Sequence, residues 1–296
     1  MTMEIALAPL PYFWTKQATF EFYARIAETA VDRVYLGEIV CPRRQTLKVA
    51  DWLAIATLLR DAGKTVVLSG YTLIESTSQI KWLRNLCDAG WPLEANDLTM
   101  VALLEAANIS DWTAGAQLNI YHGDTLRTFA AMGASRWVPH HELSREDLSH
   151  LVPLAHSLGM TTEITVWGPL ALAHSSRCFT ARRYGRPKDD CGFLCQQWPE
   201  GLLIETQEGD HFLRMNGVQT QSARWWSLLD RLDEVCALAD AVRIVPNLND
   251  TIAAIEAVAA WRDATLTPDA QWIDPQRCCN GYWFGKAGHE WIADHG

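Results

Sequence analysis

Thr65-Val-Val-Leu68 and Leu93-Glu-Ala-Asn96, with the helical-period stretch Thr77–Ala89 between them, form the segment whose reading decides the fold. Two short extended runs joined by a long helix lie beyond the reach of a tight hairpin, so they are expected to pair in parallel with the helix as crossover. The same unit recurs in both directions along the chain. Further strand candidates are Glu4–Ala8, Arg33–Leu36, Ala116–Ile120, Trp137–Pro139, Glu163–Trp167 and Val242–Val245. Helical stretches fall between or after them at Thr19–Ala30, Ala50–Ala62, Met100–Asn108, Leu126–Met132, Arg145–Leu158, Ser222–Ala239 and Thr251–Asp263. Eight βα units in about 250 residues match a closed (β/α)8 barrel of TIM type, an α/β fold, with an open doubly wound sheet as runner-up.

One stretch breaks the rhythm. From about His174 to Gly217 no crossover helix is expected, but a basic, cysteine-bearing loop followed by a β-hairpin, Gly201–Thr206 and Phe212–Met215, turned at Glu208-Gly209-Asp210. Insertions of this length in a compact domain are usually functional or disordered, and three cysteines with several aromatics favour function. No repeat, low-complexity tract or linker marks a second domain, so residues 1–296 read as one barrel domain with an insertion at about 174–217. A tail from about 271 to 296, with Trp272, Trp283, Phe284 and Trp291, is expected to pack on the barrel.

The 296 residues are 49% apolar and 20% charged, the profile of a protein with a real core. Twenty-five basic against 35 acidic residues give −10, which excludes nucleic acid as a first expectation. Met1–Leu10 lacks the features of a signal peptide and reads as a first strand, and no run is long enough to span a membrane. A cytoplasmic, reducing location is expected, where eight cysteines point to metal or redox chemistry rather than disulfides.

Cys178, Cys191 and Cys195 follow the seventh strand with gaps of 12 and 3 residues, and Cys41-Pro42 follows the second. In a barrel both groups lie at the C-terminal face, where active sites are built. Four thiolates suit zinc or an iron–sulfur cluster. The remote, proline-followed ligand favours the cluster over paired zinc cysteines. So do the cations Arg43, Arg44, Arg177, Arg182, Arg183, Arg186 and Lys188, expected to lower thiol pKa values and offset a net anionic group. Phe179, Tyr184, Phe193, Leu194 and Trp198 are expected to limit solvent access. The bland alternative is a solvated basic loop with unliganded thiols. Cys87 and Cys236 read as core residues in helices, and the adjacent Cys278 and Cys279 as reserve ligands.

Leu36-Gly-Glu, Trp167-Gly-Pro-Leu-Ala with Ser176-Arg-Cys, and Arg214-Met-Asn-Gly-Val-Gln-Thr together resemble the U32 peptidase family. The short single-domain form, Cys41-Pro and Asn280-Gly-Tyr-Trp narrow the resemblance to a branch that implies a 4Fe–4S cluster on Cys41, Cys178, Cys191 and Cys195. That branch also implies a heterodimer with a homologous UbiU-like subunit and oxygen-independent hydroxylation of ubiquinone precursors, which are polyprenylated phenols. Prephenate as oxygen donor and a lipid-carrier accessory protein complete the implication.

Two other classes stand beside this. A peptidase would need a nucleophile and base, yet the chain holds no Gly-x-Ser-x-Gly elbow and no His-Glu-x-x-His helix; a dyad of Cys41 with His140, His141 or His174 is the remaining option. A zinc-stabilised structural or electron-transfer subunit is the third. Further candidates at strand ends are Glu38, Asn96, Asp97, Asn119, His140 and Asn247, each weighed against a capping role, and Trp167 among 14 tryptophans as a pocket wall.

Overall fold

The computed structural model describes residues 3–264 and 272–293. Its barrel strands are β1 (Glu4–Leu7), β2 (Arg33–Leu36), β3 (Thr65–Ser69), β4 (Leu93–Ala95), β5 (Trp112–Ala114), β6 (Ala134–Trp137) and β7 (Thr161–Gly168). After these come β8 (Ala171–His174), β9 (Leu202–Glu205), β10 (His211–Asn216), β11 (Gln219–Ser222), β12 (Trp225–Ser227), β13 (Ala241–Ile244) and β14 (Cys278–Cys279). Each neighbour from β1 to β7 pairs in parallel, and β13 pairs in parallel with both β7 and β1, which closes eight strands into a (β/α)8 barrel.

The helices are α1 (Lys16–Ala27), α2 (Val49–Asp61), α3 (Thr77–Cys87), α4 (Leu98–Ala106), α5 (Gly123–Ala131), α6 (Arg145–Ser157), α7 (Phe179–Arg183), α8 (Leu232–Cys236) and α9 (Thr251–Arg262). Their starts follow capping chemistry: Thr15 Oγ1 accepts from Ala18 N, and Ser144 with Asp147 forms a capping box ahead of α6. Along α1 the buried residues Thr19, Phe22, Tyr23 and Ile26 share one face at i, i+3, i+4 and i+7 spacing.

Alternation along the strands separates two interiors. Ile5, Leu7, Val34, Leu36, Val66, Leu68, Val242 and Ile244 belong to the large apolar core shared with the helices. Inside the barrel sits a small apolar contact of Ala6, Tyr35 and Val67 surrounded by charge. Arg243 reaches Glu94 and Glu163 at 2.6 Å each, Arg136 reaches Glu163 and Glu4 at 3.0 Å each, and Arg33 reaches Glu4 at 2.5 Å. Three carboxylates against three guanidiniums leave this ladder neutral.

Several expected elements shift. The fifth strand is Trp112–Ala114, and Ala116–Leu118 is a 3-10 turn; the sixth is Ala134–Trp137 rather than Trp137–Pro139. The helix expected over Ser222–Ala239 is instead the end of β11, then β12, then the short α8, and Cys236 is exposed rather than core. The hairpin of β9 and β10 forms as expected, with Gly209 at φ +91 in its turn. It extends, however, into a four-stranded antiparallel sheet ordered β8-β11-β10-β9, and the cysteine segment carries the short α7. In the tail, Trp272 meets Trp167 edge-on at 4.7 Å, Trp283 is buried, and β14 pairs with β12; Gln271 lies outside the described residues.

Candidate metal centre and barrel mouth

At the C-terminal end of β2, Gly37 takes φ +144, and a Cβ there would stand 2.6 Å from the Ser69 carbonyl oxygen. The next residue, Glu38, turns its carboxylate back to accept from Val40 N at 2.8 Å and Cys41 N at 3.0 Å. Glu38 thus shapes the turn that presents Cys41, and burial pushes its carboxyl up to about 7.

Cys178 is held from the other side. The β10–β11 turn, Gly217-Val218, accepts backbone bonds from Phe179 N onto Gly217 and from Ser175 N onto Val218, both at 2.9 Å. Cys178 and Cys41 pack with Val40 and Val218 in one small apolar cluster. Gly217 has φ +69, and a Cβ there would meet Arg44 Nη2 at 2.9 Å, so only glycine lets the guanidinium pass. Arg44 donates to Pro11 O at 2.9 Å and Asn216 Oδ1 at 2.7 Å, and its charge acts on the Cys195 thiol. Cys195 in turn lies within electrostatic reach of Cys178.

Three of the four expected ligands therefore gather about Arg44. Cys191 stands at the end of the Lys188–Asp190 turn, where its carbonyl accepts from Leu194 N at 3.4 Å. The sulfurs are looser than ligation requires: among the described residues no set of three or more His, Cys, Asp or Glu side chains stands ready to hold a metal ion. The donor chemistry fits a thiolate-bound group nonetheless. Arg44 is a fully buried cation whose Nε has no hydrogen-bond partner, and its carboxylate neighbour Glu38 is 3.9 Å away. A buried cation left short of a counter-charge beside thiols is suited to an anionic group in their place.

The expected lowering of thiol pKa values is overturned. Burial outweighs Arg44 at Cys41, whose thiol is pushed up to about 11, and at Cys195, which is also raised. Two of the other cations are paired with carboxylates, Arg43 with Asp189 at 2.9 Å and Lys188 with Glu75. The aromatics shield less than expected, since Phe179, Tyr184 and Phe193 are exposed. Cys278 and Cys279 lie buried in β14, and Cys87 packs partly buried at the end of α3.

The strand-end candidates divide. Asp97 caps α4 through Thr99 N at 2.7 Å, and Asn247 is fully buried, organising the start of α9 through Asp250 and Thr251. Trp167 is fully buried core rather than a pocket wall. Asn96 binds Glu94 and lines an inner cavity of about 70 Å³, floored by Arg243, Glu94 and Thr165 and roofed by Gln219 and Gln221. Asn119 and His140 line an outer vestibule of about 400 Å³ together with Thr72, Gln117, Tyr121 and His174. His141 is half-buried beside His140, the rings 4.1 Å apart, with its Nε2 atom out of solvent. Gln219, Gln221, Tyr121 and Arg243 were not singled out by sequence. The usable signal for Arg243 is a charge inside the apolar run Val242–Val245, and for the glutamines their alternation in Gln219-Thr-Gln.

A closed (β/α)8 barrel crowned at its C-terminal face by a four-stranded sheet and a thiol-bearing segment is the class of protein these features define. The chain belongs to peptidase family U32, whose family model matches residues 18–266. Similar solved structures include a U32 peptidase at 11% identity, with a TM-score of 0.47 over 84% of this chain and 95% of that one. Tryptophan synthase from M. tuberculosis is 12% identical, with a TM-score of 0.48 over 90% and 94% of the two chains. Dihydropteroate synthase from Xanthomonas albilineans is 11% identical, with a TM-score of 0.41 over 90% and 95%. Among the described residues no helix is long and apolar enough to cross a membrane.

Proposed function

We propose that Cys41, Cys178, Cys191 and Cys195 ligate a 4Fe–4S cluster, and that the chain is a UbiV-type member of its family. In this reading it works with a homologous UbiU-like partner as a subunit of an oxygen-independent hydroxylase of ubiquinone precursors. Prephenate is the oxygen donor and a lipid-carrier protein the accessory. The observation that carries the reading is the gathering of thiols from two distant segments about one buried, under-compensated guanidinium, Arg44. The cluster, when bound, supplies electron transfer or activation of the oxygen donor. Arg44 offsets its charge, Glu38 holds the Cys41 turn, and the β10–β11 turn holds Cys178.

The test is anaerobic purification with absorption, iron and sulfide analysis, for wild type and Cys178→Ala. The expected outcome is a brown protein with roughly four irons and as many sulfides per chain, lost in the variant. Zinc without sulfide would replace the redox reading with a structural one, and a metal-free colourless protein would sink both. The second reading, a peptidase, is favoured by the family description. Against it, a Cys41 thiol pushed up to about 11 stays protonated at neutral pH, and the largest charge effects on it come from Arg44, Glu38 and Lys188.

A further inference from the structure

We infer that the outer vestibule lined by Thr72, Gln117, Asn119, Tyr121, His140 and His174 binds an uncharged, hydroxyl-bearing ring, whose oxygen accepts a hydrogen bond from His174 Nδ1–H. The choice of a ring compound rests on the proposed hydroxylase reading; the preference for an uncharged ligand rests on the site alone.

The donor direction at His174 is set from a distance. Arg44 Nη2 donates to Asn216 Oδ1 at 2.7 Å, and a guanidinium can only donate. That fixes the Asn216 amide, whose Nδ2 donates to Gln219 Oε1 at 3.1 Å. Gln221 Nε2 donates to the same oxygen at 2.7 Å, so Gln219 is fixed in turn. Its Nε2 faces His174 Nε2 at 3.1 Å and donates, which makes that ring nitrogen the acceptor and places the proton on Nδ1. A neutral imidazole with its donor toward a pocket polarises a ligand oxygen without carrying charge. Burial, and after it His140, pushes the His174 pKa down to about 4, in keeping with that form.

Ligand class follows from charge. The barrel ladder beneath is balanced, three acids against three arginines, so no free cation faces upward. The vestibule walls are amides, hydroxyls and neutral imidazoles with the aliphatic Leu172 and Ala173, and the charged group on the rim is Glu142, which accepts from Tyr121 at 2.7 Å and disfavours an anion. The adjoining inner cavity adds His141 Nε2, buried without a hydrogen-bond partner, as a further waiting polar atom. About 400 Å³ lies in the usual range for small-molecule sites of ~300–1,000 Å³.

The test is calorimetric binding to the anaerobically purified chain of 4-methylphenol, neutral at pH 7, and of 4-hydroxybenzoate, the same ring carrying a carboxylate. Saturable binding of 4-methylphenol is expected, about tenfold or more weaker for His174→Phe and partly recovered in His174→Gln, whose amide donates. The benzoate should bind about tenfold or more weakly than the phenol. Asn119→Gly, which keeps the left-handed backbone at φ +55 while deleting the amide, should also weaken binding, and covers the case in which His174→Phe fails to fold. Nitrogen-15 spectra should show Nε2 unprotonated in wild type and protonated in Gln219→Glu, a change that a merely structural role would not produce. Equal or tighter binding of the benzoate, unchanged affinity in folded His174→Phe, or no saturable binding of 4-methylphenol to wild type overturns the inference. Phenol binding that depends on His174 in a chain without iron or sulfide would sink the proposed function and leave this site standing. A cluster-bearing chain whose binding ignores His174 would do the reverse.

Discussion

Arg44 lies fully buried with its Nε unpaired, yet its two terminal nitrogens reach Pro11 and Asn216 and its charge acts on the Cys195 thiol. One residue thereby joins the thiol site to the amide relay that ends at His174, and its fixed charge polarises each link. His174 and His141 both lie below the ordinary histidine range, first through burial. A base with a depressed native pKa binds fewer protons folded than unfolded, so its stabilisation is complete above pH 6.5 and is lost as pH falls toward 4. Urea unfolding at pH 7 and pH 5 should therefore show His174→Gln losing less stability than wild type on acidification, by about 1–2 kcal/mol. Parallel losses in the two proteins would show that His174 is not the group that resists protonation. The approach of Cys41 to Cys178 was legible because both follow barrel strands at their C-terminal ends. Gln219 was not, since an amide becomes a relay only through what stands on either side of it.

The element that decides how the crown meets the barrel is β7, whose last residue Gly168 has φ +116. A Cβ there would lie 2.3 Å from the Val245 carbonyl oxygen and 2.8 Å from Val245 Cβ, which backbone cannot relieve. Gly168→Ala should cost about 3 kcal/mol or more and lower the melting temperature sharply. Gly159→Ala, at φ +78 with nothing within 4 Å, should cost only the left-handed backbone, about 1–2 kcal/mol. Similar losses at both sites would remove the close approach as the reason for Gly168. Periodicity misled at one element for a physical reason. Trp225, Leu228, Leu229, Leu232 and Val235 are all buried at helical spacing, but a strand, a 3-10 turn and a short helix in series deliver them to the core. Apolar spacing reports which residues are buried, and a succession of short elements can imitate one long helix.

Across the whole molecule, the neutral ladder inside the barrel replaces the apolar layers usual in this architecture. Glu163 is its hub, fully buried and bonded to Arg136, Arg243 and Tyr35. Glu163→Gln leaves two guanidiniums short of a counter-charge and should destabilise by about 3–5 kcal/mol in chemical denaturation. A loss below about 1 kcal/mol would show that the ladder tolerates imbalance. The sequence by itself determined the βα rhythm, the closed eight-strand count, the hairpin and the placing of Cys41 and Cys178 at one end of the barrel, because periodicity and strand polarity are local properties that survive without coordinates. Only the tertiary structure decided that the barrel interior is charged and balanced, that burial overrides the arginines at Cys41, and that Arg44, Asn216, Gln219 and His174 form one chain. Desolvation and hydrogen-bond direction depend on what closes around a side chain, and those neighbours come from segments far apart along the chain.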